Sequence, residues 1–113
     1  CVAEKFAIVC LDAIDDKKEK KNLLKHLKSD GKEVIAISEK QVTQFAGNML
    51  QVKGGEDKRY LVMSSSAFNS LIDNQRKMIN KYCEIIHSPL ETIETCGGGS
   101  ARCMMAEVFL PKQ

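Results

Sequence analysis

The sequence predicts an α/β fold made of two similar strand-helix-strand-strand units. Short apolar runs alternate with amphipathic segments, as expected when strands form a buried sheet that helices cover. Residues 29–38 and 79–88 match in pattern at an offset of 50, and each stretch follows a strand and a helix. Each also precedes a small-residue turn that opens another apolar run. Because units of this size cannot bury their own faces, the repeat indicates a propeller or an array.

The predicted strands are runs of β-branched, aromatic and other apolar residues bounded by turn residues. In chain order they cover residues 6–11, 33–37, 48–53, 59–63, 83–87 and 103–109. The first run shows no alternation, which indicates burial on both faces, so Cys10 is expected in the core. The polar, glycine-containing stretch 54–57 predicts a β-hairpin between its two flanking strands.

Two long helices are predicted, at residues 16–30 and 66–81. In each, apolar side chains recur at helical spacing and leave the opposite face to charged residues. An aspartate at 15–16 can cap the first helix, and Gly31 ends it. Residues 73–74, Asp followed by Asn, are a candidate interruption of the second helix.

Composition and charge are ordinary for a globular protein. Of the 113 residues, 43% are hydrophobic and 28% charged, and 17 basic against 15 acidic side chains give a net charge of +2. The lysines interleave with acids, which is typical of a solvated helix face and does not favour nucleic-acid binding. No apolar stretch reaches the length of a membrane span, and no charged region precedes an apolar core in the first residues. Five cysteines without regular spacing favour reduced thiols, and we expect a cytoplasmic protein.

Cys103 is the candidate for chemistry, because a glycine loop delivers it to the start of the last predicted strand. Three consecutive glycines at 97–99 leave room for a small molecule to approach the main chain. The loop would leave the sulfur open to substrate while the strand fixes it. The alternative is that Cys103 is a small buried residue of a core strand. The repeat makes Asn48 its approximate counterpart, with both residues aimed at a shared centre.

Other chemistry fits the residues less well. A zinc site would need paired ligands, whereas Cys96 and Cys103 are seven residues apart and His87 stands alone. A phosphate-binding loop would carry a lysine and lead into a helix, but this loop leads into a predicted strand. The spacing of the two cysteines departs from the usual redox motif. The alternative that the chain is a non-catalytic binding or scaffold module, which merely keeps the repeat, stays open.

Three stretches carry a resemblance to a known family: EKFAIVCLDAI at 4–14, QFAGNMLQ at 44–51 and GGGSARCMMAEVFLP at 97–111. They resemble the amidinotransferase-like, citrulline-ureidase-type branch of the guanidino-group-modifying enzymes. That superfamily includes arginine deiminase and dimethylarginine dimethylaminohydrolase. The resemblance implies a pentein, which is an α/β propeller of five modules.

The resemblance also implies that residues 1–113 form one partial domain, the last two modules of a longer polypeptide. The module boundaries are expected at approximately 1–54 and 55–113. An opening Cys1 in place of Met, with strand-like sequence almost at once, leads independently to the same expectation.

The function implied by the resemblance is that of a hydrolase or amidinotransferase acting on a C–N bond of a guanidino or ureido amino acid. Cys103 would be the nucleophile, and no metal or organic cofactor is implied. The expected substrate-binding residues lie on the loop and its counterpart turn: Gly98, Gly99, Ser100, Arg102 and Asn48. In arginine deiminases a histidine precedes the nucleophile, so Arg102 departs from that pattern.

The remaining catalytic groups are expected elsewhere in the polypeptide. The resemblance places the general acid/base histidine just before Cys1 and the substrate-binding carboxylates in earlier modules. His87 does not match the family position and is expected to be structural, and Glu107 is expected to be a supporting carboxylate on the strand of Cys103. The implied partners are therefore a small guanidino or ureido substrate and the missing N-terminal modules, and a homo-oligomer is compatible with the sequence. The 113 residues alone are expected to be inactive.

Overall fold

The computed structural model describes residues 1–111 and shows a mixed α/β fold with two small sheets. In chain order the elements are β1 (Phe6–Val9), α1 (Lys17–Ser29), β2 (Glu33–Ala36), α2 (Glu39–Thr43), β3 (Leu50–Lys53), β4 (Arg59–Ser64), α3 (Ser65–Ser70), α4 (Asp73–Asn80), β5 (Glu84–Ser88) and α5 (Glu91–Gly97). Single 3₁₀ turns cover Leu11–Ala13, Gly55–Asp57 and Ala101–Met104. The α/β class is therefore confirmed, and the number of propeller modules stays a prediction.

Both sheets contain the same parallel strand-helix-strand unit. β1 pairs in parallel with β2 across the crossover helix α1. β4 pairs in parallel with β5, and α3 and α4 form the crossover between them. A parallel pair needs such a long connection, so α1 in the first unit and α3 with α4 in the second are what allow these strands to meet. The strand-helix-strand part of the predicted repeat is therefore present twice, whereas the second unit lacks the fourth element, a strand at 103–109.

The predicted β-hairpin forms between β3 and β4, which pair antiparallel. It assigns β3 to the three-stranded sheet β3-β4-β5 and not to the sheet of β1 and β2. The expected module boundary near residue 54 falls inside this hairpin. The backbone hydrogen bonds of this sheet therefore join the three strands within residues 50–88.

The predicted strand at 103–109 is absent, and this expectation was wrong. Residues 101–104 form a 3₁₀ turn, and residues 105–111 have no regular structure. A strand is stabilised by ladder hydrogen bonds to a neighbour. β3 finds that neighbour in β4 through a short turn, whereas no strand between residues 1 and 111 pairs with 105–109. Val108, Phe109 and Leu110 are consequently left exposed.

The predicted helix at 66–81 is two helices, separated at Leu71 and Ile72. Leu71 adopts an extended conformation and is buried in the core, which ends α3. The backbone N–H of Ile72 donates to the side chain of Gln75 at 3.0 Å, which starts α4. The sequence placed the interruption two residues further along, at 73–74.

One core joins the two sheets and their helices. Its fully buried large apolar side chains are Phe6, Ile35, Met49, Leu61, Met63 and Ile79. They come from β1, β2, β4, α4 and the residue preceding β3, so the core holds the turn at 45–48 next to the second sheet. Of the helices between residues 1 and 111, none has the length and apolar character needed to cross a bilayer.

Candidate active site

The glycine loop turns the chain from α5 into the 3₁₀ turn that carries Cys103. Gly98 ends α5 in the left-handed region, with φ of 68°, which glycine adopts without steric cost. Ser100 is fully buried and anchors the next segment. The Cys103 N–H then donates to the Ser100 carbonyl at 3.1 Å. The thiol of Cys103 is consequently held on a short turn and remains exposed.

The counterpart turn at 45–48 brings Asn48 to the thiol. Phe45 has φ of 64°, which reverses the chain after α2, and the Asn48 N–H donates to the Phe45 carbonyl at 2.9 Å. The Asn48 side-chain nitrogen Nδ2 donates to Cys103 Sγ at 3.1 Å. The predicted proximity of Asn48 and Cys103 is therefore found, across 55 residues of sequence.

Asn48 also binds Arg102, the residue before Cys103. Its Oδ1 accepts the backbone N–H of Arg102 at 2.9 Å. The guanidinium of Arg102 reaches back to donate to the Met49 carbonyl at 3.3 Å, while the residue as a whole stays exposed. Three hydrogen bonds thus tie the two turns together, which fixes the position of the thiol relative to Asn48.

The surroundings of Cys103 favour its thiolate. The side-chain hydrogen bond from Asn48 is the largest influence that lowers the pKa of Cys103, followed by a backbone hydrogen bond from Ser100 and the nearby charge of Arg102. Hydrogen bonds and positive charge stabilise the anion more than the neutral thiol. By contrast, burial raises the pKa of Cys83, although a hydrogen bond with Gln51 opposes the shift. Of these two thiols, only Cys103 combines exposure with a lowered pKa.

The three loop residues expected to contact substrate differ in accessibility. Gly98 is exposed, and Gly99 packs directly against Cys103. A Cβ atom added to Gly99 would lie 2.9 Å from Cys103 Sγ, which is closer than such contacts allow. Ser100 is fully buried, so its side chain supports the loop from within, and its substrate-binding role stays a prediction.

Glu94 is a residue of this site that the sequence interpretation missed. It lies on α5, is only 9% exposed, and its Oε1 accepts the Ser100 hydroxyl at 2.6 Å. The stretch preceding the glycines was interpreted as a connection rather than a helix. The signals for α5 were Pro89 before it, Glu91 in its first turn and Gly98 after it.

Neither histidine of the described chain is hydrogen-bonded to Cys103. His26 is exposed on α1. The His87 ring lies over Phe68 with ring centroids 4.1 Å apart, and its Nδ1 is 2.9 Å from Ser65 Oγ. These contacts hold the His87 ring against α3, and its structural role stays a prediction.

The expected supporting role of Glu107 is not found. Glu107 is exposed on the irregular segment and lines a cleft of about 790 Å³ between that segment and β3. The opposite wall of the cleft carries the Arg59–Glu4 ion pair, at 2.8 Å. Cys103 does not line this cleft, so the thiol and the cleft are separate features. Within residues 1–111 no group of three or more His, Cys, Asp or Glu is placed to hold a metal ion.

A comparison with protein-family models matches residues 1–110 to the family described as N,N dimethylarginine dimethylhydrolase, eukaryotic. The match confirms the superfamily of guanidino-group-modifying enzymes to which the three sequence motifs pointed. Neither the curated proteins nor the solved structures gave a match.

Proposed function

Since the chain belongs to the N,N-dimethylarginine dimethylhydrolase family, we propose that it hydrolyses a C–N bond of a guanidino amino acid through Cys103. N-methylated arginine is the first substrate to test, because the family description names it. Arginine and the ureido compound citrulline are the alternatives within the same chemistry.

The observation that carries the proposal is the hydrogen bond from Asn48 to an exposed thiol at the end of a glycine loop. The nucleophile is the thiolate, and a free cysteine with a pKa of about 8.5 is mostly protonated at neutral pH. The hydrogen bond from Asn48 is the largest of the contributions that lower the pKa of Cys103. An exposed cysteine with this environment is suited to covalent catalysis.

The proposed reaction has two steps. In the first, the Cys103 thiolate attacks the central guanidinium carbon and forms a C–S bond, and the C–N bond to the methylated nitrogen breaks. That nitrogen takes a proton from a general acid and leaves as an amine. In the second, the general acid, now deprotonated, takes a proton from a water molecule whose oxygen attacks the same carbon. The C–S bond breaks with its electron pair returning to sulfur, and the product loses its extra proton to solvent and carries a ureido group. No net oxidation or reduction occurs.

The substrate would lie where the glycine loop leaves the thiol open. Gly98 and Gly99 expose backbone next to Cys103, and Arg102 adds a positive charge beside it. Asn48 would hold the sulfur toward the substrate carbon during attack. Ser100 contributes through its backbone, because its hydroxyl is turned inward to Glu94.

The general acid is proposed to come from a residue other than His26 and His87. His87 is held by its stacking with Phe68 and its contact with Ser65, and His26 lies on the exposed face of α1. The carboxylates that would clamp a planar guanidinium are likewise assigned outside residues 1–111. The free thiols fit a reducing compartment, and we place the protein in the cytoplasm.

The test is to incubate the protein, with all residues that flank this chain in nature, with N,N-dimethylarginine, arginine or citrulline. Dimethylamine, ammonia and ureido products are measured separately. Release of dimethylamine together with a ureido product supports the proposed dimethylarginine hydrolase, whereas ammonia from arginine or citrulline identifies a deiminase or ureidase. Transfer of the amidino group to an added amine identifies an amidinotransferase. If Cys103 is alkylated quickly but none of the compounds is turned over, the chain is a non-catalytic module.

A further inference from the structure

The buried contact between Glu94 and Ser100 is the part of the site with no assigned role. Glu94 is 9% exposed, and Ser100 is fully buried. A carboxylate is costly to bury unless it is hydrogen-bonded, and here the Ser100 hydroxyl donates to it at 2.6 Å. Such charge-assisted bonds are short and about twice as strong as bonds between neutral groups. The contact therefore joins α5 firmly to the far end of the glycine loop.

Ser100 also holds the 3₁₀ turn at 101–104 that contains Cys103. Its carbonyl accepts the N–H of Cys103 at 3.1 Å. The loop between α5 and Ser100 consists only of glycines, which are the residues with the greatest backbone freedom. Without an anchor after them, the glycines would let the turn at 101–104 shift relative to Asn48, which sits on a different part of the fold.

We propose that Glu94 and Ser100 are positioning residues that hold the Cys103 turn against Asn48. The inference rests on the proposed function, because it assigns a role in setting the reactivity of the same nucleophile. Neither side chain touches substrate in this scheme. The Ser100 hydroxyl fixes the loop through Glu94, and the Ser100 backbone then fixes the sulfur. The lowering of the Cys103 pKa by a backbone hydrogen bond from Ser100 agrees with this arrangement.

Two variants separate this role from general support of the fold. Ser100→Ala removes the donor, and Glu94→Gln keeps an acceptor but removes the charge. The matched control is Glu91→Gln, an exposed glutamate on the same helix. Each is made in the protein as it occurs naturally, and melting temperatures establish that the variants are folded.

The readout is the pH dependence of Cys103 alkylation by iodoacetamide, followed by mass spectrometry of the Cys103 peptide. We expect the midpoint to move upward toward that of an ordinary thiol in Ser100→Ala, less far in Glu94→Gln and not at all in Glu91→Gln. With substrate, kcat should fall by about tenfold in Ser100→Ala while KM changes less than about threefold, because the pair acts on the nucleophile. If Ser100→Ala does not fold, the alkylation midpoint of Glu94→Gln alone decides whether the pair positions Cys103.

An unchanged midpoint in a folded Ser100→Ala or Glu94→Gln variant would overturn the positioning role. That result is distinct from failure of the proposed function, which would appear as absent turnover in the unmodified protein. The alkylation profile needs no knowledge of the substrate. A shifted profile without any turnover would therefore keep the positioning role and reject the hydrolase.

Discussion

Asn48 connects the two halves of the site because its amide nitrogen donates to the Cys103 thiol and its amide oxygen accepts the Arg102 N–H. Removing the side chain in Asn48→Ala should raise the pKa of Cys103, so the alkylation midpoint moves upward and less thiolate is present at pH 7. We expect kcat to fall by about tenfold, as for loss of one hydrogen bond to a charged group.

The charge variant Asn48→Asp sharpens this prediction. A carboxylate cannot donate to the sulfur and adds a negative charge beside it, so the midpoint should move further upward than in Asn48→Ala. The exposed Asn69 on α3 provides the control, and Asn69→Ala should leave the profile unchanged. If Asn48→Ala reacts with iodoacetamide as the parent does at every pH, the hydrogen bond has no influence on reactivity.

Gly99 limits where the thiol can lie, since an added Cβ would stand 2.9 Å from Cys103 Sγ. Gly99→Ala should therefore push the sulfur away from Asn48 and lower kcat by about 10²-fold, the size of effect a 1 Å misplacement can have. Gly97→Ala is the matched control, because a Cβ at Gly97 meets nothing within 4 Å. Steady-state kinetics give kcat for both variants, and their melting temperatures should be equal so that only the site differs. Similar kcat values would show that the close contact between Gly99 and Cys103 is unimportant.

Single residues of the site were predictable from the sequence where the repeat or a motif marked them. The turn motif and the repeat paired Asn48 with Cys103, and the two are hydrogen-bonded. The inward orientation of Ser100 was not predictable, because a serine in a glycine loop looks the same whether its hydroxyl faces solvent or Glu94. That orientation depends on α5, which the sequence interpretation did not place.

The elements were largely predictable because local signals agree with the packing. Asp16 caps α1 as expected, and its side chain accepts the N–H groups of Lys18 and Glu19 at 2.6 and 3.1 Å. The strand at 103–109 was not predicted correctly, because an apolar run forms a strand only where a partner is available. The short run at β3 does form a strand, because β4 follows it and pairs with it.

Asp16→Ala tests the contribution of that cap. Loss of the cap should lower the free energy of unfolding by about 1 kcal/mol. The exposed neighbour Asp15 supplies the comparison, and Asp15→Ala should change the free energy of unfolding by less than about 0.5 kcal/mol. Urea denaturation measures both, and equal effects of the two substitutions would show that the cap is not specific to Asp16.

At the scale of the whole molecule, residues 1–111 contain the proposed nucleophile, but neither of their histidines is hydrogen-bonded to it. A positioned general acid contributes about 10²–10⁴-fold. The 113-residue chain expressed alone should therefore show no measurable turnover of dimethylarginine, arginine or citrulline. Val108, Phe109 and Leu110 are 75%, 86% and 80% exposed, so we also expect this chain to self-associate. Robust turnover by a monodisperse monomer would show that the general acid lies within these residues.

The role of Cys103 as nucleophile is tested most directly by trapping the covalent intermediate. The naturally occurring protein is mixed with N,N-dimethylarginine, quenched with acid during turnover, digested and examined by mass spectrometry. The proposal predicts an adduct, on the Cys103 peptide alone, with the mass of the substrate after loss of dimethylamine, and no adduct or turnover in Cys103→Ser. Turnover by Cys103→Ser, or an adduct on Cys83 or Cys96 with Cys103 unmodified, would contradict it.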